Sequence, residues 1–238
     1  MIDFHTHVLP DMDDGSRSAA ESLEMLALLR TQGAETVIAT PHYYYRNESV
    51  GSFTARRIHA YDALRDALES AEGFGRYPNV LPGAEVAFFA GISHESELRR
   101  LCVDKTDLLL LEMPFSAWSS AAVNEVRGLI TAGITPVIAH MERYVDYGGN
   151  RERLGELLAM GAVIQSNAEY FTACGTRRQA FAALNRGHIH VFGSDCHNLD
   201  ARPPNIGELR RLLRKKLGKA GIAALNAQAT KLLAGSAR

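Results

Sequence analysis

Two histidines one residue apart, His5 and His7, are followed within a few residues by Asp11, Asp13 and Asp14 in the opening stretch MIDFHTHVLPDMDDG. Residues two apart on an extended strand face the same way, so both imidazoles can point at one ion, with Asp14 supplied by the loop that follows. An H-x-H pair alone is a weak signal. The same donor chemistry recurs along the chain at His42, Glu85, Glu112, His140, Asp195 and His197. A mixed imidazole and carboxylate set with no thiolate suits Mn, Fe, Zn or Mg better than a soft-metal site.

The elements that must position these residues alternate in type. Runs at 1–7, 36–40, 79–87, 107–112, 135–140, 162–166 and 189–194 read as strands. Segments at 18–32, 54–71, 93–101, 120–132, 150–160, 176–186 and 206–217 carry apolar residues at three- and four-residue intervals and read as helices. Gly33, Gly133, Gly161 and Gly187 follow four of them, as helix stops do. Strand and helix in alternation, without hairpin signals, imply parallel strands, and apolar runs such as LLLL and VIA fit strands covered on both faces. A barrel of seven βα units is the economical α/β architecture, with a doubly wound open sheet as the alternative. Residues 218–236 are expected to form an extra helix packed on the outside, within a single domain spanning 1–238.

In a parallel barrel, reactive groups collect where strands end and the βα loops form one rim. His5 and His7 end the first run, His42 follows the second, Glu85 lies late in the third, and Glu112 and His140 end the fourth and fifth. Asp195 and His197 follow the seventh. All therefore fall on one rim, where so many converging polar groups would be costly unless they held something. His188 and His190 share the H-x-H spacing but begin the seventh run, on the opposite rim, and are expected to be structural. His59 and His94 fall in helical segments and are expected at the surface.

Composition excludes several classes of function. With 46% hydrophobic and 22% charged residues over 238 positions, the chain is an ordinary globular protein able to bury a core. Lys+Arg 26 against Asp+Glu 27 leaves a formal charge of -1, so no overall field attracts nucleic acid or an anionic membrane. No leader-like start and no apolar run approaching the ~20 residues of a bilayer span are present, which gives a cytoplasmic expectation without membrane insertion. Cys102, Cys174 and Cys196 are odd in number and unpaired by spacing, which fits a reducing compartment.

The motifs D-F-H-T-H, T-P-H, P-G-x-E, H-x-E-R and S-D-x-H-N together resemble the polymerase and histidinol phosphatase (PHP) superfamily. Within it, L-P-x-x-D-D-G and H-x-E-R look most like the bacterial manganese-dependent tyrosine-protein phosphatases of the CpsB/YwqE type, from capsule and exopolysaccharide clusters. The resemblance runs from residue 1 to about residue 210. It implies a distorted (β/α)7 barrel and three divalent ions, manganese in the family, with iron, zinc or magnesium also suited. His5, His7, Glu85 and Asp195 would hold the first ion, and Glu85, Glu112 and His140 the second. Asp14, His42 and His197 would hold the third. The implied substrate is phosphotyrosine on protein, and the implied partner a tyrosine-phosphorylated bacterial kinase of polysaccharide export. A histidinol-phosphatase-like or other small-molecule phosphoesterase is the alternative enzyme. A metal-sensing or phosphopeptide-binding module is the alternative outside enzymes.

The expected chemistry is metal-assisted hydrolysis by water, without a phosphoenzyme. Arg143 and Arg202 follow His140 and His197 on the same rim and can clamp phosphate oxygens. Asp195 or a water is the expected proton donor. Tyr43, Tyr44, Tyr45 and Arg46 could flank an aromatic substrate or simply pack, and the basic run at 210–216 reads as a solvated helix face. Cys196 and Arg202 stand in C-x5-R spacing, as in cysteine-dependent phosphatases. The intervening H-N-L-D-A lacks the small residues whose N–H groups such a loop needs, and Asp200 would repel the anion, so the match reads as coincidence.

Overall fold

The computed structural model describes residues 1–71 and 75–235. Its strands are β1 (Ile2–Thr6), β2 (Thr36–Ala39), β3 (His42–Tyr43), β4 (Asn79–Pro82), β5 (Glu85–Ala87), β6 (Leu108–Glu112), β7 (Thr135–Ile138), β8 (Val163–Asn167) and β9 (Val191–Gly193). Its α-helices are α1 (Ala19–Thr31), α2 (Val50–Ser70), α3 (Ser120–Thr131), α4 (Asn150–Ala159), α5 (Ala168–Thr172), α6 (Arg177–Asn185) and α7 (Ile206–Gly235). Every strand pair is parallel. The expected strand 79–87 is divided into β4 and β5 at Gly83–Ala84, and beyond the expected strand 36–40 a further short strand, β3, follows Pro41, which offers no N–H to a ladder. Gly83 N–H to Ala39 O (2.8 Å) and Glu85 N–H to Pro41 O (3.0 Å) carry the pairing across both breaks.

The sheet runs β1-β2-β4 and β3-β5-β6-β7-β8-β9, then curls until its last strand meets its first. Asp195 N–H donates to His5 O at 2.8 Å and His7 N–H to Cys196 O at 2.9 Å, which sets aside the open-sheet alternative. Alternate residues of the strands divide between two cores, as strand geometry requires. Ile38, Leu108, Leu110, Val137, Val163 and Val191 pack together inside, while Val37, Leu109, Leu111, Ile138, Ile164 and Phe192 join the outer core with the helices.

The first strand departs from strict alternation. Asp3 pairs with Val37 and Thr6 with Ala39, so three steps on β1 match two on β2, a bulge. It lets Phe4 fill the lower interior while His5 and His7 both reach the mouth above. Helices α1, α2 and α3 start after Ser18, Ser49 and Ser119, whose hydroxyls accept from the backbone N–H three residues on. Each such cap contributes about 1 kcal/mol and fixes where a rim loop ends.

One expected helix needs correction. Segment 93–101 is not one helix but two 3-10 turns, Ile92–His94 and Leu98–Leu101. The Glu125 carboxylate accepts Gly91 N–H and Ser93 N–H at the start of the first, holding a turn rather than a longer helix. The short α5 carries too little periodicity to be seen in sequence. The C-terminal helix continues α7 past a break at Gly218 (φ 71) and packs on the outside of the barrel. Its Ala229, Leu232 and Leu233 pack on Ile2, Phe4 and Val191, covering apolar side chains that the barrel leaves bare opposite the mouth. Among the described residues, no helix is long and apolar enough to cross a membrane.

Candidate metal centre

The mouth of the barrel gathers His5, His7, Asp14, His42, Glu85, Glu112, His140, Asp195 and His197. Glu85, 1% exposed, stands at the centre. Its Oε2 lies 3.0 Å from His5 Nε2, 3.0 Å from His42 Nδ1 and 3.5 Å from His7 Nε2. Its Oε1 lies 2.9 Å from His140 Nε2, which is 3.5 Å from Glu112 Oε1. Asp195 Oδ1 is 3.5 Å from both His5 Nε2 and His7 Nε2. Asp14, on the loop after β1, sits 3.5 Å from His42 Nε2 and 3.4 Å from His197 Nε2.

These distances sort the donors into overlapping groups. His5, His7 and Asp195 form one, and His7, Asp14, His42 and His197 another. Glu85 joins His5 and His140 in a third group, and His42 and Glu112 in a fourth. The nine expected donors meet at one mouth, and their four overlapping groups divide them differently from the three expected sets: His7 joins Asp14, His42 and His197, and Glu85 is shared between two groups.

The donor set fits divalent cations. His7 Nδ1 contacts Asp13 Oδ2 at 2.6 Å and His5 Nδ1 faces Gln165 Oε1 at 3.4 Å, so each ring places its proton outward and turns the Nε2 lone pair inward. Those two nitrogens then stand 3.2 Å apart, an arrangement that a shared cation relieves. Glu85 Oε2, His42 Nδ1 and His140 Nδ1 are buried without a hydrogen bond. The fully buried His5, His7 and His140 could not be left so close to bare carboxylates unless charge balanced charge.

Electrostatics of the metal-free site agree. Burial works to raise the Glu85 carboxyl, but charge on His5, the hydrogen bond from His140 and the close imidazoles of His42 and His5 hold it well below its usual range. Asp195 behaves likewise: burial opposes, and His5 and His7 prevail, keeping it far below an ordinary aspartate. Burial would lower His140, yet Glu112 and Glu85 push it up to about 9. His197 is pushed down to about 4 by burial, by the charge of His7 and by Arg202. Two donors also carry strained backbone, His140 at φ 29 and Asp195 at φ 53, left-handed values that cost about 1–3 kcal/mol each and persist only when the surroundings enforce them.

Both expected arginines reach this mouth. Arg143 Nη2 lies 2.6 Å from Asp195 Oδ2, and Arg202 Nη2 lies 2.8 Å from Asp195 Oδ1. Arg202 Nη1 also donates to His197 Nε2 at 2.8 Å. The three tyrosines divide: Tyr43 is core, edge-on to Phe53, Tyr44 stacks on His42, and Tyr45 stacks on Phe89. His190 Nδ1 accepts Ile164 N–H at 2.9 Å, the structural role expected of that pair, and His59 and His94 are exposed. Cys196 is fully buried, and burial beside Asp3 and Asp195 pushes its thiol far above the ordinary range, so it offers no thiolate.

Sequence reasoning missed the residues behind the donors. Asp13 accepts from His7, from His42 N–H at 2.9 Å and from Gly15 N–H at 2.9 Å, tying the loop after β1 to β3. A Cβ on Gly15 would lie 2.3 Å from His7 O, so this loop can fold over His7 only with glycine there. A Cβ on Gly193 would meet His5 Cβ at 2.5 Å. Strand β8 supplies no donor, yet Gln165 Oε1 accepts His140 N–H at 2.6 Å, and Asn167 Nδ2 donates to Asp195 Oδ2 at 2.9 Å. The signal for these two was available: polar residues two apart at the end of an otherwise apolar strand face the same mouth.

Comparison with known proteins places this geometry. The family model described as "Capsular polysaccharide synthesis, CpsB/CapC" matches residues 1–234. Tyrosine-protein phosphatase YwqE of Bacillus subtilis is 33% identical over 226 residues, covering 92% of this chain and 85% of the relative. Tyrosine-protein phosphatase CpsB of Streptococcus pneumoniae is 29% identical over 227 residues, covering 92% and 91%. Among solved structures, the metal-dependent tyrosine phosphatases YwqE of B. subtilis and CpsB of S. pneumoniae provide a match with TM-score 0.85 at 29% identity, covering 98% of this chain and 94% of the matched one.

Proposed function

We propose that this chain, which belongs to the CpsB/CapC family of capsular polysaccharide synthesis, is a metal-dependent phosphatase that hydrolyses phosphotyrosine on protein. The observation that carries the reading is the convergence of nine imidazole and carboxylate donors on one mouth, with two arginines at its edge. His5, His7, Glu85 and Asp195, then Glu112 and His140 with Glu85, then Asp14, His42 and His197 would hold three divalent ions, manganese by resemblance. Bound there, such ions would supply Lewis acidity toward phosphoryl oxygens and lower the pKa of water.

The chain's own residues do the rest. Asp13 and Gln165 hold the tautomers of His7 and His5, so the lone pairs stay inward. Arg143 and Arg202 are 39% exposed, with guanidinium groups already at the mouth, where two planar donors can take the non-bridging oxygens of a phosphate. Asp195, held as a carboxylate by two histidines and two arginines, is suited to holding cations and carries no proton to give near neutral pH. The departing tyrosine oxygen, whose parent phenol titrates at about 10, takes its proton from solvent. The family's place in capsule synthesis favours a tyrosine-phosphorylated kinase of that pathway as the protein substrate.

The test compares release of phosphate from a phosphotyrosine peptide, from histidinol phosphate and from an amide substrate, each with added manganese and with excess chelator. Chelator-sensitive turnover of the peptide above the other two is the expected result. Turnover that persists in chelator would refute the reading.

A further inference from the structure

Among the described residues six large apolar side chains are exposed, and the aromatic ones are not scattered. Leu28 and Ile58 lie on helices α1 and α2, whereas Tyr44, Tyr45, Phe115 and Tyr147 all lie on loops that follow strands, around the mouth. Two of these rings stand directly on donor imidazoles. Phe115 stacks on His140 with centroids 6.1 Å apart and planes at 17°, and Tyr44 on His42 at 5.5 Å and 27°. Those two imidazoles meet at one carboxylate, Glu85.

Phe115 is 49% exposed on a loop held at almost every neighbouring residue. Tyr144, fully buried, accepts Met113 N–H on its hydroxyl at 3.1 Å. Trp118 Nε1–H donates to Pro114 O at 3.1 Å, and Asn150 both donates to Ser116 O at 3.0 Å and accepts Trp118 N–H at 2.7 Å. A ring kept in water by so rigid a setting is a pre-organised platform and not a slack loop tip. Tyr44 is 42% exposed and divides clefts of about 380 and 470 Å³.

We propose that Phe115 and Tyr44 grip the phenyl ring of phosphotyrosine above the metal centre and are the specificity-determining residues against phosphoserine and phosphothreonine. The inference rests on the phosphatase reading and deepens it. In an aryl phosphate the ring is bonded directly to the ester oxygen, so a phosphoryl group held at Arg143, Arg202 and the donors must carry its ring into the layer just above, where both platforms stand. Seryl and threonyl phosphates have no π-face to place there.

The experiment measures kcat/KM on phosphotyrosine and phosphoserine peptides of identical flanking sequence, for the manganese-loaded wild type, Phe115→Ala, Phe115→Trp and Tyr44→Ala. The tyrosine-to-serine selectivity ratio should fall about tenfold in Phe115→Ala and in Tyr44→Ala, and be kept by Phe115→Trp. Affinity for a non-hydrolysable phosphonomethyl-phenylalanine peptide should fall in parallel. An unchanged ratio, or equal losses on both peptides, would overturn the proposal while leaving the phosphatase reading standing. A wild type that cleaves neither peptide with manganese present would overturn both.

Discussion

Replacing Asp13 by asparagine isolates the residue behind the donors from the donors themselves. Its carboxylate accepts three hydrogen bonds, from His7 Nδ1–H, His42 N–H and Gly15 N–H, at a side chain only 7% exposed. Asparagine has one acceptor oxygen. Turned to serve His7 and His42, it sets its amide N–H against Gly15 N–H, and one buried donor left unpaired costs about 1–3 kcal/mol. Loss of the charge also weakens the inward lone pair of His7, and outer partners of this kind are worth about 10–100-fold in metal affinity. Calorimetric titration of manganese into metal-free Asp13→Asn should therefore show weakening in that range, with urea unfolding shifted by the first figure.

The pH dependence has a fixed sign. Burial acts to raise Asp13, but the charge and hydrogen bond of His7 and two backbone N–H groups hold it well below its ordinary value of 3.8. A depressed carboxyl contributes stability that is fully present above its unfolded value and is lost as pH falls toward the folded one. Metal-free wild type should thus lose stability below about pH 4, and Asp13→Asn should lose less of it over the same window. Manganese affinity within twofold of wild type, with an unchanged acid limb, would refute the assignment.

Gly15→Ala should abolish binding of at least one ion and lower activity by more than tenfold, because its Cβ cannot sit 2.3 Å from His7 O without moving Asp14; metal stoichiometry reads this. Cys196→Ser should keep most activity, and alkylation of the native protein should label Cys174, which is exposed, and spare buried Cys196, as peptide mass mapping would show. Arg202→Lys should cost about 10–100-fold in kcat/KM on phosphotyrosine peptide, since a single ammonium cannot replace a planar fork, while metal stoichiometry stays at the wild-type value.

The strand ends were legible because each buried parallel strand is a short apolar run bounded by glycine or proline, and a donor placed at such an end has one rim to go to. That logic located His140 after β7 and Asp195 after β9, and separated His190, at the other end of β9, from the donors. It could not see the bulge between Asp3 and Thr6, because an extra residue in one strand leaves no mark on apolar periodicity. Gln165 and Asn167 were legible as mouth-facing polar residues two apart at a strand end, but neither their partners nor those of Asp13 could be read, because these hydrogen bonds join segments distant in sequence. Nor could it place Ala229 and Leu232 beneath the barrel, since an amphipathic helix announces a buried stripe but not what covers it. Phe115 was silent for the opposite reason: a phenylalanine is read as core by default, and only its pinned, exposed loop shows otherwise.

The central claim is that this mouth binds several divalent cations, and diffraction from crystals grown with manganese tests it most directly. Anomalous difference peaks at the manganese edge among His5, Asp14, Glu85, Glu112 and His197 are the expected result, three in number. A map without peaks at that mouth, from protein that still cleaves phosphotyrosine, would contradict the account.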